Sequence, residues 1–146
     1  QLLDWAHRSR GMLQGCGSRL IVNGSFSLEK DLPHEVGIHV TSTELGRLQT
    51  SVGERSRLVG CSCHSREELT KAEALGFDYA LLSPVASTAR YPGKSPLGWS
   101  RFEELAASVS LPVYALGGMK RSDVRIALKR GAAGVAGIGA FDKIVG

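Results

Sequence analysis

Short apolar runs alternate with amphipathic stretches along most of this chain. Six runs are rich in branched and aromatic residues and have the length of buried strands. The predicted strands are Arg19–Asn23, Val36–Val40, Leu58–Cys63, Tyr79–Ser83, Val113–Leu116 and Gly134–Ile138.

Helical patterns fill the intervals between these runs. The predicted helices are Thr43–Ser51, Ser65–Leu75, Ser100–Ser108 and Ser122–Arg130. Ser65 with Glu68, and Ser100 with Glu103, have the spacing of a capping box, in which each side chain satisfies an amide of the other residue. Alternating strands and helices predict parallel strands joined by right-handed crossovers, as in doubly wound sheets and closed barrels.

Small polar residues and glycines follow the predicted strands at their carboxyl ends. Ligands of parallel α/β folds bind at this edge of the sheet. The residues found there are Asn23, Thr41 to Glu44, Ser62 to Ser65, Ser83 to Thr88, Gly117, Gly118 and Gly139. Phosphate is held by backbone amides, hydroxyls and helix N-termini, so this composition favours a phosphorylated ligand.

Composition and charge narrow the class of protein. The 146 residues suffice for one domain, and 42% hydrophobic and 22% charged residues are typical of a globular protein. The net charge is +4, but the Lys and Arg residues are scattered, so we expect a small anionic ligand and no nucleic acid. No apolar run approaches the ~20 residues needed to cross a membrane. The sparse cysteines and the lack of a signal-peptide pattern favour the cytoplasm.

Four segments together resemble the thiamine-phosphate synthase family, whose branches include the thiazole tautomerases. They are "GIHVTSTEL", "GCSCHSREELTKAEALGFDYALLSPV", "LPVYALGGM" and "GAAGVAGIGAF", in the order and approximate spacing of the family. The chain is also similar to the synthase-like domain that follows a Nudix hydrolase domain in some bacterial proteins. The resemblance implies a (β/α)8 barrel of the TIM type. The six strands would be the third to eighth, in a single domain at 1–146 that lacks the first two βα units.

This resemblance implies a transferase of thiamine biosynthesis. The family joins a pyrimidine methyl diphosphate to thiazole phosphate and releases diphosphate, with Mg²⁺ stabilising the leaving group. The alternative is a non-catalytic domain of a larger, Nudix-fused protein that binds thiazole phosphate or thiamine phosphate. The implied partners are phosphorylated small molecules, with a second copy of the chain or an attached N-terminal domain.

The resemblance also assigns roles to individual residues. The implied catalytic residues are Asn23, Ser62, Thr88 and Arg90. The implied cradle for the thiazole phosphate consists of Gly117, Gly118, Ile138 and Gly139. Glu44 stands where the family has a metal-binding Asp, and it is the implied ligand of Mg²⁺.

Other positions depart from the family pattern. Gly24 replaces a metal-binding Asp, and Pro84 replaces the catalytic histidine of the tautomerase branch. The loop lysine of the family aligns with Tyr91 or, after a one-residue slip, with Arg90. We therefore expect the chain to bind a phosphate better than it performs the synthase reaction.

Several candidates also have a purely structural interpretation. Gly117 and Gly118 suit an ordinary turn as well as a phosphate cradle. Asn23 suits a turn, Glu44 suits a helix N-terminus, and His39 suits a strand end without chemistry.

The sequence "CSCH" raises the question of a zinc site. Strand alternation places Cys61 and Cys63 on one face and His64 on the other. We therefore interpret the two cysteines as buried core residues and not as metal ligands.

Overall fold

A six-stranded parallel sheet forms the centre of the molecule, with its strands in chain order. The structure is a computed structural model that describes residues 2–13, 15–53, 56–88, 92–93 and 95–139. The strands are Ile21–Asn23 (β1), Gly37–Val40 (β2), Val59–Cys63 (β3), Tyr79–Leu82 (β4), Val113–Leu116 (β5) and Gly134–Ala136 (β6).

Helices precede and connect the strands. They are Leu2–Met12 (α1), Ser42–Arg47 (α2), Arg66–Ala74 (α3), Gly98–Ala106 (α4) and Val124–Lys129 (α5), with short 3-10 helices at Phe26–Leu28 and Arg121–Asp123. All neighbouring strands are parallel, and the sheet curls into a half-barrel of the TIM-barrel type. The predicted fold class is thereby confirmed.

The helix-facing side of the sheet carries the hydrophobic core. Its strand residues alternate along each strand and are at most 3% exposed: Val22, Ile38, Val40, Val59, Cys61, Cys63, Ala80, Leu82, Val113 and Ala115. They form one cluster with buried helix residues such as Leu45, Leu69 and Phe102. Burial of this apolar face is what fixes the register of the sheet, because a one-residue slip would turn the whole face toward solvent.

The two strand cysteines belong to this core, as predicted. The Sγ atoms of Cys61 and Cys63 lie 3.7 Å apart, and both side chains are fully buried. The hydrogen bond between the two thiols, together with burial, raises the pKa of Cys63. The Cys63 thiol therefore stays protonated near neutral pH, and both buried side chains pack as small core residues.

On the opposite, concave face, large residues are paired in register with glycines. The pairs are Ile21 with Gly37, Tyr79 with Gly60, and Tyr114 with Gly134. A Cβ atom on Gly60 would overlap the Tyr79 ring, and one on Gly134 would lie 3.1 Å from the Tyr114 ring. The two tyrosine rings pack edge to face with their centroids 5.9 Å apart. Each glycine thus provides the space that its neighbour's side chain fills.

A buried arginine fixes the loop between β1 and β2. The Arg57 side chain is 6% exposed, and its guanidinium donates to the carbonyl oxygens of Glu29 at 2.9 Å and of Leu32 and Val36 at 3.3 Å. Buried carbonyls need such donors, because an unsatisfied polar group costs roughly 1–3 kcal/mol. Arg57 therefore ties the segment before β3 to the loop between β1 and β2.

One predicted helix start is confirmed. The Ser65 hydroxyl caps α3 by accepting from the Glu68 amide at 3.3 Å. The Glu68 carboxylate accepts from the His64 amide at 2.5 Å, one residue before the position that the capping box predicts.

A second predicted helix start is wrong. Helix α4 begins at Gly98 and not at Ser100, and its N-cap residue Leu97 makes no side-chain cap. The amides of Leu97 and Gly98 donate to the carbonyl oxygens of Pro84 and Val85, at 2.8 and 2.9 Å. The loop after β4 supplies these acceptors, so no serine cap is needed.

Within the described residues, β1 pairs only with β2 and β6 pairs only with β5. None of the helices described there is long and apolar enough to cross a membrane.

Substitution at Gly60 tests the packing of the concave face. Gly60→Ala should destabilise the protein by about 1–3 kcal/mol, because the new methyl group displaces the Tyr79 ring. Gly46→Ala is the matched control, since a Cβ atom there meets nothing within 4 Å. Urea unfolding measures both variants. Equal stability of the two would contradict this account of the packing.

Candidate functional site

A cavity of about 1030 Å³ opens at the carboxyl ends of the strands. Residues at the ends of all six strands line it, from Asn23 at the end of β1 to Gly139 after β6. The predicted site residues in its lining are Asn23, Ser62, Thr88, Gly117, Gly118, Ile138 and Gly139. The parallel sheet thus brings together residues that are far apart in the sequence.

Two predicted site residues are absent from the described lining. Glu44 lies in the first turn of α2, where its Oε1 accepts from Ser25 Oγ at 2.9 Å and its amide donates to Thr41 Oγ1 at 3.2 Å. Arg90 and Tyr91 lie outside the described residues.

The cavity favours anions by the charges in its wall. The lining within the described residues includes Lys120 but neither Asp nor Glu. The rest combines hydroxyl, imidazole and amide side chains and glycine backbone with apolar side chains such as Leu81, Met119 and Ile138. Among the described lining residues the only charged side chain is thus a lysine, which favours a negatively charged ligand.

His39 lies on the cavity wall with both ring nitrogens engaged. Its Nε2 atom is 2.9 Å from Ser62 Oγ, and its Nδ1 atom is 3.1 Å from the Tyr79 hydroxyl. The side chain is 8% exposed. Burial lowers the pKa of His39 to about 4, so the imidazole is neutral near neutral pH.

Tyr79 reaches His39 across the intervening strand. Gly60 on β3 is in register with His39 on β2 and with Tyr79 on β4. Burial raises the pKa of Tyr79, so its hydroxyl keeps its proton. The sequence offered no signal for this contact, because the three strands meet only in the folded sheet.

A second histidine stands at the rim of the cavity. His64 Nδ1 is 2.9 Å from the Ser83 carbonyl oxygen and 3.3 Å from Ser83 Oγ. This contact joins the ends of β3 and β4. Both residues line the cavity, and neither was among the predicted catalytic residues.

Gly117 and Gly118 have left-handed backbone conformations, with φ of +97° and +66°. A Cβ atom on Gly117 would lie 2.8 Å from Pro84 Cα, and one on Gly118 would lie 2.5 Å from the Ser87 carbonyl oxygen. The turn therefore needs both glycines for its own geometry. A larger residue at Gly118 would displace the loop after β4, so such a variant cannot isolate a phosphate contact.

The segment after this turn differs from the predicted helix at Ser122–Arg130. It begins as the 3-10 turn Arg121–Asp123, and the Asp123 carboxylate accepts from the Lys120 amide at 2.8 Å. The α-helical part is the six residues Val124–Lys129. The helical segment thus covers nearly all of the predicted range, but its first turn is 3-10 and its α-helical part is shorter than predicted.

The described residues do not form a site that could hold Mg²⁺ with protein ligands alone. The described residues contain no cluster of three or more His, Cys, Asp or Glu side chains with metal-binding geometry. Glu44 is one carboxylate, and it already accepts from Ser25. At Gly24 the space beside the backbone is filled by Leu28, whose Cδ1 would lie 2.7 Å from a Cβ atom. We therefore derive no chemical step from a metal ion.

A smaller cavity of about 420 Å³ lies at the amino-terminal side of the sheet. Arg19, Glu35, Ser56 and Leu58 are among its lining residues. It shares no described residue with the larger cavity.

A family model and several related proteins match almost the whole chain. The family model described as thiamine monophosphate synthase matches residues 1–141. The putative thiamine-phosphate synthase 2 of Aquifex aeolicus is 30% identical over 141 residues, which cover 97% of this chain and 75% of that protein. The thiamine-phosphate synthase of Prochlorococcus marinus is 33% identical over 145 residues, which cover 97% of this chain and 40% of that protein.

Solved structures show the same fold. Thiamine phosphate pyrophosphorylase from Pyrococcus furiosus superposes with a TM-score of 0.69 at 20% identity, covering 93% of this chain and 64% of that chain. FabK from Thermotoga maritima superposes with a TM-score of 0.62 at 17% identity, covering 92% of this chain and 45% of that chain. The chain therefore spans only part of the length of these proteins.

The buried His39 predicts a pH-dependent stability. Its pKa is about 4 in the folded protein and 6.5 ordinarily, so between these values the unfolded chain binds a proton that the folded protein does not. The free energy of unfolding should be highest above about pH 6.5 and fall by about 3 kcal/mol as the pH drops to about 4. Urea unfolding of wild type and His39→Gln across this range isolates the effect. The same pH dependence in both proteins would contradict the assignment.

Proposed function

The chain belongs to the thiamine monophosphate synthase family, and we propose that it is a thiamine-phosphate-synthase-like transferase of thiamine biosynthesis. In the proposed reaction, the ring nitrogen of thiazole phosphate attacks the methylene carbon of a pyrimidine methyl diphosphate. A C–N bond forms and the C–O bond to the diphosphate breaks. The diphosphate leaves with the electron pair of that bond.

The observation that carries this proposal is the shared cavity at the strand ends. Ligand cavities are typically about 300–1,000 Å³, so a volume of about 1030 Å³ is sufficient for two small substrates. Its described lining has donors and a lysine but no carboxylate, as expected for phosphorylated ligands.

The two ends of the cavity offer different chemistry. On the side of β1 to β4, we propose that the Asn23 amide holds the pyrimidine and that the Ser62 hydroxyl donates to the diphosphate. Thr88 follows β4 and lines the cavity on the same side. We include its hydroxyl among the proposed contacts at this end. Arg90 stays a prediction from the sequence, in which its guanidinium neutralises the diphosphate.

On the side of β5 and β6, backbone amides replace side chains. Within the described part of the chain, no backbone carbonyl accepts a hydrogen bond from the amide of Gly118 or Gly139. We propose that these amides, with the backbone of Gly117 and Ile138, hold the phosphate of thiazole phosphate. Lys120 adds charge at the same end of the cavity.

A step in which charge develops on a leaving diphosphate is favoured by a cavity that is shielded from water. The described edges of β1 and β6 are unpaired on their outer sides. We propose that two further βα units, from another segment or another chain, pair with these edges and complete the barrel.

A second candidate function is binding of thiazole phosphate or thiamine phosphate without catalysis. It is favoured by Gly24, which has no side chain where the resemblance implies a metal-binding Asp. The phosphate contacts proposed for Gly118 and Gly139 do not need a metal ion and serve this function equally.

Product formation tests the transferase directly. Wild-type protein with both substrates and Mg²⁺ should form thiamine phosphate, and Ser62→Ala should lower kcat by about 10²–10³, because a donor to the leaving group is lost. Ser100→Ala, on the exposed surface of α4, is the matched control and should keep full activity. Folded wild type that binds thiazole phosphate but forms no product supports the second candidate. Folded wild type that does neither contradicts both.

Substitution of Gly139 tests the phosphate cradle, which is the backbone of Gly117, Gly118, Ile138 and Gly139. A Cβ atom there meets no described atom within 4 Å, so Gly139→Leu can begin a side chain without a backbone collision with described residues. We expect affinity for thiazole phosphate to fall by at least about tenfold, because the side chain blocks access to the amides. Gly11→Leu on α1, also without neighbours within 4 Å, is the control. Calorimetry that finds unchanged affinity in folded Gly139→Leu would remove the cradle from the proposal.

A further inference from the structure

Three polar side chains form a chain of contacts that ends at the cavity. The Tyr79 hydroxyl lies 3.1 Å from His39 Nδ1, and His39 Nε2 lies 2.9 Å from Ser62 Oγ. His39 and Ser62 line the cavity, whereas Tyr79 is not part of its described lining. The contacts therefore run from Tyr79, on the concave face, to the side chains that line the cavity.

The protons in this chain can be counted. A neutral imidazole carries one N–H, on Nδ1 or on Nε2, and the other nitrogen is an acceptor. Burial keeps His39 neutral by lowering its pKa to about 4, and burial also keeps the Tyr79 hydroxyl protonated. Two arrangements remain, and they differ in which histidine nitrogen holds the proton.

The two arrangements give Ser62 opposite properties. With the proton on Nδ1, Nε2 accepts from Ser62, and the serine presents only lone pairs to the cavity. With the proton on Nε2, the serine oxygen accepts from His39, and its own O–H is available to a ligand. Only the second arrangement offers a donor to an anion.

Tyr79 selects between them. The contact between Tyr79 and His39 is part-buried, and a hydroxyl shielded from water destabilises the fold when it lacks an acceptor. Nδ1 of His39 lies within hydrogen-bond distance of this hydroxyl. If Tyr79 donates to Nδ1, the single imidazole proton is on Nε2 and points at Ser62.

We propose that His39 is a positioning residue, which donates from Nε2 to Ser62 Oγ and so directs the Ser62 hydroxyl proton toward an anionic oxygen in the cavity. This inference rests on the proposed function, because it deepens the role of Ser62 in holding the diphosphate. A donor that is already oriented needs no reorganisation when charge develops on the leaving group. We call the Tyr79–His39–Ser62 chain of hydrogen bonds the relay. Tyr79 sets its direction, and Gly60 gives the Tyr79 ring room to cross β3.

The tautomer of His39 is a test that needs no ligand. In uniformly ¹⁵N-labelled protein at about pH 7, where His39 is neutral, Nε2 should give the signal of a protonated nitrogen and Nδ1 that of an unprotonated one. His39→Gln identifies the signals by their loss. Tyr79→Phe should shift the population toward protonated Nδ1. A wild-type His39 that is protonated on Nδ1 overturns the relay.

Binding of inorganic pyrophosphate tests the effect on Ser62. We expect Ser62→Ala and His39→Leu each to weaken the affinity about tenfold, and the double variant to be no weaker than Ser62→Ala alone. His39→Gln should restore most of the affinity, because its amide can donate in place of Nε2. His34→Leu, on an exposed loop, is the matched control.

The outcomes separate this inference from the proposed function. Additive losses in the double variant, or a His39→Gln protein as weak as His39→Leu, overturn the positioning role. Wild type that binds no pyrophosphate overturns the diphosphate site, while the nitrogen signals still decide the direction of the relay. If His39→Leu does not fold, His39→Gln and Tyr79→Phe carry the test.

Discussion

The concave face of the sheet depends on a tyrosine ring that crosses a glycine. Tyr79 starts on β4, passes over Gly60 on β3 and reaches His39 on β2, which connects three consecutive strands. Any side chain at Gly60 would occupy the position of the ring. The same contact that packs the sheet therefore also orients the imidazole at the cavity, so the packing and the chemistry of the site are inseparable.

The cavity itself follows from the parallel arrangement. When every strand points the same way, all six carboxyl ends meet at one edge, and whatever follows each strand faces a common space. Here that space collects hydroxyls and amides on one side and glycine backbone on the other. The absence of carboxylates from its described lining makes it suitable for phosphate groups and poorly suited to holding a metal ion by itself.

The sequence predicts the strands and most of the cavity lining well, because both depend on local periodicity. Asn23, Ser62 and Gly139 could be placed at the rim simply because each follows or ends a buried run. The start of α4 could not be predicted, since carbonyl oxygens of the preceding loop replace the expected Ser100 cap. The contact of Tyr79 with His39 could not be predicted either, because it depends on the register of three strands.

The central claim is that the larger cavity, at the carboxyl ends of the strands, binds phosphorylated ligands. Mapping backbone amide chemical shifts during titration with thiazole phosphate tests it most directly. The account predicts saturable shifts at Ser62, Gly118 and Gly139, with no change around Arg19 and Ser56 at the smaller cavity. Shifts confined to the smaller cavity, or none at all in the folded protein, would contradict it.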